Sequence, residues 1–204
     1  MSVELLAPAG NAEKLSYVYR YGADAAYIGV RNFSLRARAD NFNDQEFETL
    51  RRIKGGKKLY AAFNIYFHQS DLEALRGELD YIARYPLDAF IVSDLGASRV
   101  LKEAFPGIPQ HLSTQANCIN PEAARAYRDL GFTRIILGRE TSLKEIAAIR
   151  AAVPEVKLEA FVHGAMCLAY SGRCFLSAWM ADRSANEGNC SHSCRWEYRV
   201  LEES

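Results

Sequence analysis

No apolar run in this 204-residue chain reaches the roughly 18 residues that a membrane-spanning helix requires. The opening stretch, MSVELLAPAGN, has neither the basic nor the apolar region of a secretory signal. Neither sign of charge is in excess, because 25 Lys and Arg balance 25 Asp and Glu. A broad basic face of the kind that grips nucleic acid is therefore missing, although a local patch fits within a neutral total. Cysteine is scarce as well. Five residues, an odd number, in a chain without an export signal do not form a disulfide framework. HExxH is absent, no Ser–His–Asp order is evident, and the first apolar run leads into LAPAGN rather than a glycine-rich phosphate loop. These absences lead to the expectation of a soluble, cytoplasmic protein with no membrane segment and reduced thiols.

What is present reads as a folded domain. With 49% hydrophobic and 25% charged residues, the composition is that of an ordinary globular protein rather than a disordered one. Through residue 164, strand-length apolar runs alternate with longer amphipathic stretches. The runs are Glu4–Ala9, Ala25–Val30, Lys58–Asn64, Ala89–Asp94, Gln110–Ala116, Arg134–Arg139 and Leu158–His163. Between them Leu72, Leu75, Leu79 and Ile82 form a helical stripe, as do Leu143, Ile146, Ile149 and Val153. Ser70 precedes the helix expected over Asp71–Arg84, Ser142 stands three places before Glu145, and Asn120 stands before Pro121, all sound helix starts. Strand–helix alternation with long connections implies right-handed parallel crossovers. Seven such units predict an α/β fold, a TIM-like (β/α) barrel short of its eighth unit, over a doubly wound open sheet. Seven strands do not close an eight-stranded barrel, and the ending VLEES adds to the expectation that the chain is part of something longer. The predicted organisation is a barrel-like domain over 1–164 and a Cys-rich segment over 165–204 packed on the barrel's C-terminal face.

In a parallel barrel the strand ends converge on one mouth. Those positions are polar here: Asn11, Arg31, Asn64, Asp94, Gln115 with Asn117, Arg139 with Glu140, and His163. After the second strand, FSLRARADNF adds Arg36 and Arg38, whose alternation on an extended segment puts both guanidinium groups on one side. Together with Arg139 they suit a phosphate or carboxylate. Glu159 and His163, four apart on one predicted strand, would share a face. The pair is open to acid–base chemistry, or to a structural Glu159 neutralised by an arginine within the barrel.

Four of the five cysteines, Cys167, Cys174, Cys190 and Cys194, follow the seventh run with spacing C-x6-C-x15-C-x3-C. Zinc sites usually pair close cysteines twice, and only the last two are close here. An iron–sulfur cluster accepts the irregular spacing. Iron–sulfur, zinc, and packed or catalytic thiols without metal all stay open on spacing alone. Cys118, upstream and alone, reads as a small packed hydrophobe.

Glu159-Ala-Phe-Val-His-Gly-Ala-Met-Cys167 followed by Ala-Tyr-Ser-Gly-Arg-Cys174-Phe-Leu-Ser177 resembles the signature of peptidase family U32. LLAPAGN, YGADAAYIG, FSLRARADNF, HLSTQANCIN and CRWEY resemble that family too, so the likeness runs along the whole chain. Some members are collagenase-like proteases. Others take part in oxygen-independent hydroxylation of a tRNA wobble uridine, a ribosomal RNA cytidine or a ubiquinone precursor, with a 4Fe–4S cluster and prephenate as implicated hydroxyl source. The resemblance implies Cys167, Cys174 and Cys190 as cluster ligands, with Cys194 as the fourth. It favours tRNA hydroxylation, with peptidase and quinone-precursor activity as alternatives. The expected site has Arg36, Arg38, Asn64, Gln115, Asn117 and Arg139 binding substrate, including a small anionic co-substrate, and His163 with Glu140 or Asp94 moving protons. The expected partners are tRNA and a further protein. Family members run on into further strands and an accessory domain.

Overall fold

The computed structural model describes residues 3–30, 33–35 and 47–199. Its sheet contains all seven expected strands: β1 (Leu6–Pro8), β2 (Ala25–Gly29), β3 (Lys58–Phe63), β4 (Ala89–Val92), β5 (Gln110–Leu112), β6 (Arg134–Ile136) and β7 (Lys157–Glu159). They lie in sequence order and pair in parallel throughout. The helices are α1 (Ala12–Arg20), α2 (Phe47–Lys54), α3 (Gln69–Gly77), α4 (Leu79–Ile82), α5 (Leu95–Ala104), α6 (Pro121–Asp129), α7 (Leu143–Ala152) and α8 (Leu176–Ala181). This is a curled, TIM-like half-barrel with its helices outside.

Strand alternation sorts the core into two layers. Ile28, Leu59, Phe63, Phe90, Leu112 and Ile135 face the helices in one large cluster. Inside the curl lie Ala25, Tyr60, Ala62, Ala89, Ile91 and Ile136. Small residues on three of these six positions leave room for a hollow rather than a solid plug. Burial on both faces explains why the strands read as continuous apolar runs.

Local signals set most helix starts. Ser142 and Glu145 form the expected capping box, the Ser142 N–H donating to the Glu145 carboxylate at 2.7 Å. Asn120 caps α6 through the Ala123 N–H at 2.9 Å, with Pro121 at the first helical position. Two expectations are corrected. The helix expected over Asp71–Arg84 begins earlier, at Gln69, because the Asp71 carboxylate accepts from the His68 N–H at 2.8 Å and makes His68, not Ser70, the cap. It also breaks at Gly77, the residue with the greatest backbone freedom in the stretch, before α4. The seventh strand is shorter than Leu158–His163. Its partner β6 ends at Ile136, and the Gly138 N–H donates to the Cys118 carbonyl at 3.2 Å instead, so residues beyond Glu159 have no ladder to join.

At the N-terminal end of the curl a charged floor ties the first strand's approach to the last strands. Glu4 accepts from Arg134 at 2.6 Å, Lys58 at 2.7 Å and Tyr60 at 2.9 Å. Arg134 also reaches Glu159 at 3.1 Å, and His111 packs edge-on to Tyr60 with ring centroids 4.8 Å apart. Burial alone would raise the Glu4 carboxyl, but its three donors outweigh that and hold its pKa at about 2. Glu159, whose carboxylate accepts from Arg134, goes the other way, and burial leaves its pKa above the usual carboxylate range. Burial, with the Arg134 charge next in weight, drives His111 down to about 3, so it is neutral at working pH.

Among the described residues beyond 164 there is no strand. Short turns and α8 carry the chain back over the strand ends, and Gly188 marks one close approach. Its φ is +83°, and a Cβ there would stand 2.9 Å from the Leu35 carbonyl carbon and oxygen. Gly188→Ala should therefore destabilise by about 1–3 kcal/mol through strain and a backbone clash, read by thermal unfolding; an unchanged midpoint would contradict the close packing. The floor predicts a signed pH dependence. A lowered histidine pKa removes stability as pH falls from its ordinary 6.5 toward about 3, and a lowered carboxylate pKa removes it from its ordinary 4.5 toward about 2. Thermal melts against pH should show both losses in the native protein, whereas Glu4→Gln should start less stable at neutral pH and lack the steeper loss below pH 4.5. Parallel curves for the two proteins would show that Glu4 is not the anchor.

Candidate active site at the barrel mouth

The strand ends open on one cavity of about 540 Å3. Tyr27, Ala62, Ile91, Ile136 and Glu159 line its barrel side. Asn64, Gln115 and Arg139 stand at strand ends around it, and Cys167, Cys174, Cys190 and Cys194 all line it from the returning segment. The four clustered cysteines, spread over 28 residues of irregular chain, thus meet at one hollow.

Side-chain hydrogen bonds, rather than sheet or long helix, bring them there. Ser171 is buried and left-handed, with φ 48°. Its N–H donates to the Glu140 carboxylate at 2.6 Å and its hydroxyl to the Asn117 side-chain oxygen at 2.7 Å. Asn117 is itself left-handed, φ 61°, at the end of the turn Thr114–Ala116. Arg173 donates to the Gln115 carbonyl at 2.8 Å. Asn186 bridges across the segment: its oxygen accepts from the Cys174 N–H at 3.0 Å and its amide nitrogen donates to the Cys174 carbonyl at 2.9 Å. The Asn186 carbonyl in turn accepts from the Tyr66 N–H at 3.1 Å, tying the segment to the chain just past β3.

Two donors face the Cys190 sulfur. It accepts from the His192 N–H at 3.3 Å and from the Ser177 hydroxyl at 3.6 Å. Ser177 is held by the Ser191 N–H at 3.1 Å. Donors aimed at sulfur stabilise its charged or metal-bound form. Among the described residues, no three His, Cys, Asp or Glu side chains come close enough to hold one metal ion. The sulfurs share a wall and do not gather at a point.

The other expected site residues fall into three groups. Asn64, Gln115 and Arg139 line the cavity. The Asn64 oxygen accepts from the Leu35 N–H at 3.2 Å, the Arg139 guanidinium lies 4.3 Å from the Phe161 ring centroid, and Gln115 is only 2% exposed with neither amide atom bonded. Asn117, Asp94, Glu140 and His163 are not among the lining residues. Asp94 caps α5 through the Ala97 N–H at 2.8 Å and faces a separate hollow of about 290 Å3 beside Tyr66 and Arg173. Asn117 and Glu140 hold Ser171. His163 is exposed past the end of β7, so it does not share a strand face with Glu159. Arg31, Arg36 and Arg38 lie outside the described residues.

Glu159 takes the structural option, bonded to Arg134, and at the same time lines the cavity. Asn186 escaped sequence reasoning, since a small polar residue in irregular chain carries no periodicity; Ser177 and Phe161 stand in the family-like signature, but their contacts were not legible there. Cys118 is fully buried, and burial pushes its thiol up to about 11, as a packed hydrophobe requires.

Comparison with known proteins bears on this site. The tRNA hydroxylation protein P of Escherichia coli (strain K12) is 43% identical over 201 residues, which cover 98% of this chain and 44% of that protein. The 23S rRNA 5-hydroxycytidine C2501 synthase of the same organism is 37% identical over 98% of this chain and 30% of its own length. The chain therefore spans under half the length of these curated relatives. Among solved structures, the U32 peptidase Mk0906 superposes with a TM-score of 0.63 at 20% identity, over 78% of this chain and 68% of that one, a likeness of fold. The family model for peptidase family U32 matches residues 10–204, and the chain belongs to that family.

Proposed function

We propose that this chain supplies the catalytic barrel of an oxygen-independent RNA hydroxylation protein acting on tRNA, with a 4Fe–4S cluster held by Cys167, Cys174, Cys190 and Cys194. The observation that carries the reading is the convergence of these four side chains on one cavity at the strand ends. The 43% identity to a tRNA hydroxylation protein supports the substrate class. Four thiols, with N–H and O–H donors at Cys190, are the donor chemistry a cluster needs. Tetrahedral zinc asks instead for four ligands gathered about one point, roughly 2.3 Å from each sulfur. A cluster spreads its four thiolate ligands over a larger core than a single zinc ion does, and the four cysteines that line this one cavity are the residues that would hold it. When bound, it would supply redox or Lewis-acid chemistry at the mouth.

The chain's own residues bind and manage protons. Arg139, which lines the wall together with Arg195, is a cation that suits an anionic co-substrate, which family resemblance gives as prephenate. Proton handling moves from His163, Glu140 and Asp94 to Glu159, which lines the cavity and whose carboxyl burial has raised toward the working range. Arg134 orients it.

Peptidase chemistry draws less support. Ser171 bonds to Glu140 and Asn117, and Ser177 to Ser191 and Cys190, so each hydroxyl is engaged structurally.

Anaerobically purified full-length protein with Cys174→Ala or Cys190→Ala should lose bound iron and sulfide, and cells carrying either variant should lose hydroxylated uridine from their tRNA by mass spectrometry. Full iron loading in either variant would remove that residue from the ligand set. Glu159→Gln should lower kcat by about 100-fold or more with a changed pH profile, while His163→Ala should stay near native. The reverse order would return the proton to His163.

A further inference from the structure

Gln115 has no structural occupation for its side chain. It lies at a strand end in the wall of the 540 Å3 cavity and is 2% exposed, yet neither its amide oxygen nor its amide nitrogen bonds to any described group. Its backbone is fully used: the N–H donates to the Ser113 hydroxyl at 3.4 Å and the carbonyl accepts from Arg173 at 2.8 Å. The main chain is pinned while the side chain is not. The Ser171–Gly172 turn covers the amide, a Cβ on Gly172 falling 4.0 Å from the amide nitrogen. A buried amide left unpaired is unfavourable, and native structures rarely retain one without a purpose. Turning it toward the cavity would break no hydrogen bond.

A carboxamide presents one donor and one acceptor side by side, the complement of a planar ring edge that carries both. A pyrimidine has such an edge: uracil offers N3–H and O4, cytosine N4–H and N3. The second edge is the first with donor and acceptor exchanged, so a half-turn of the amide matches either. The cavity is of ordinary small-ligand size, and enzymes that act on a base draw it out of its stack into such a hollow. Phe161, with Arg139 over its ring, adds an aromatic face to the same wall.

We propose that Gln115 reads the donor–acceptor edge of a pyrimidine base drawn into this cavity, swinging its unpartnered amide out of the wall to pair with it. This rests on the RNA-hydroxylation reading and names the residue that recognises the base. The 5-hydroxycytidine named for one relative is a pyrimidine product of the kind this edge would fit.

The test uses the purified full-length protein with uridine 5′-monophosphate and cytidine 5′-monophosphate as probes. Titration by ligand-observed NMR should show binding of at least one to the native protein and a loss of about 10- to 100-fold in Gln115→Leu and Gln115→Glu. Gln115→Leu should melt at or above the native temperature, because the amide it removes had no partner, which a merely structural role would not give. A lower melting temperature with nucleotide binding unchanged would overturn the proposal. So would native levels of hydroxylated nucleoside made by Gln115→Leu, with the hydroxylation reading left standing. Gln115-dependent nucleotide binding in a native protein that hydroxylates no RNA would keep the base reader and remove the hydroxylation.

Discussion

Ser171 is the residue on which the cavity depends. A chain leaving the seventh strand with no sheet to join would drift into solvent, and four cysteines on it would have no common neighbourhood. Two strand-end side chains prevent this, Glu140 holding the Ser171 N–H and Asn117 its hydroxyl. Because Ser171 sits between Cys167 and Cys174, fixing it fixes both flanks. Asn186 then returns the segment across Cys174 and onto Tyr66, and Gly188 lets the backbone pass close to Leu35. The mouth is roofed by short hydrogen bonds to particular polar side chains, from strand ends and from the returning segment itself.

Beneath that roof the two edges of the seven-stranded sheet are tied together across the interior. Arg134 spans the interior between Glu4 and Glu159, so the approach to the first strand and the end of the last are linked through one guanidinium. The arrangement also sorts two carboxylates by environment. Glu4, with three donors, stays ionised, whereas Glu159, deeper and bonded to Arg134, holds a proton more readily. Two carboxyls pushed in opposite directions around one arginine are a familiar basis for acid–base chemistry.

The architecture was legible because parallel strands buried on both faces leave uninterrupted apolar runs, and all seven were readable, as were the Ser142 and Asn120 caps. Strand ends were less so. A run of suitable residues such as Leu158–His163 looks like a strand whether or not its neighbour continues, and only the early turn of β6 at Gly138 shows that it does not. The same limit misplaced His163. The cysteines were legible as a group, and their place on one cavity wall followed from where the seventh strand ends. The roles of Asp94 and Glu140 were not, because an N-cap, a tether and a general base are the same residue type until their partners are known. Asn186 gave no signal at all.

Taken together, a half-barrel supplies a hollow with a protonatable carboxyl, an arginine and a free amide, and the returning segment supplies sulfur. Mössbauer spectroscopy on anaerobically prepared full-length protein grown on isotopically enriched iron tests this most directly. The account predicts the signature of one 4Fe–4S centre per chain, lost when the clustered cysteines are replaced. Protein that carries tightly bound zinc at the same cysteines, and takes up no iron under reducing conditions, would contradict it.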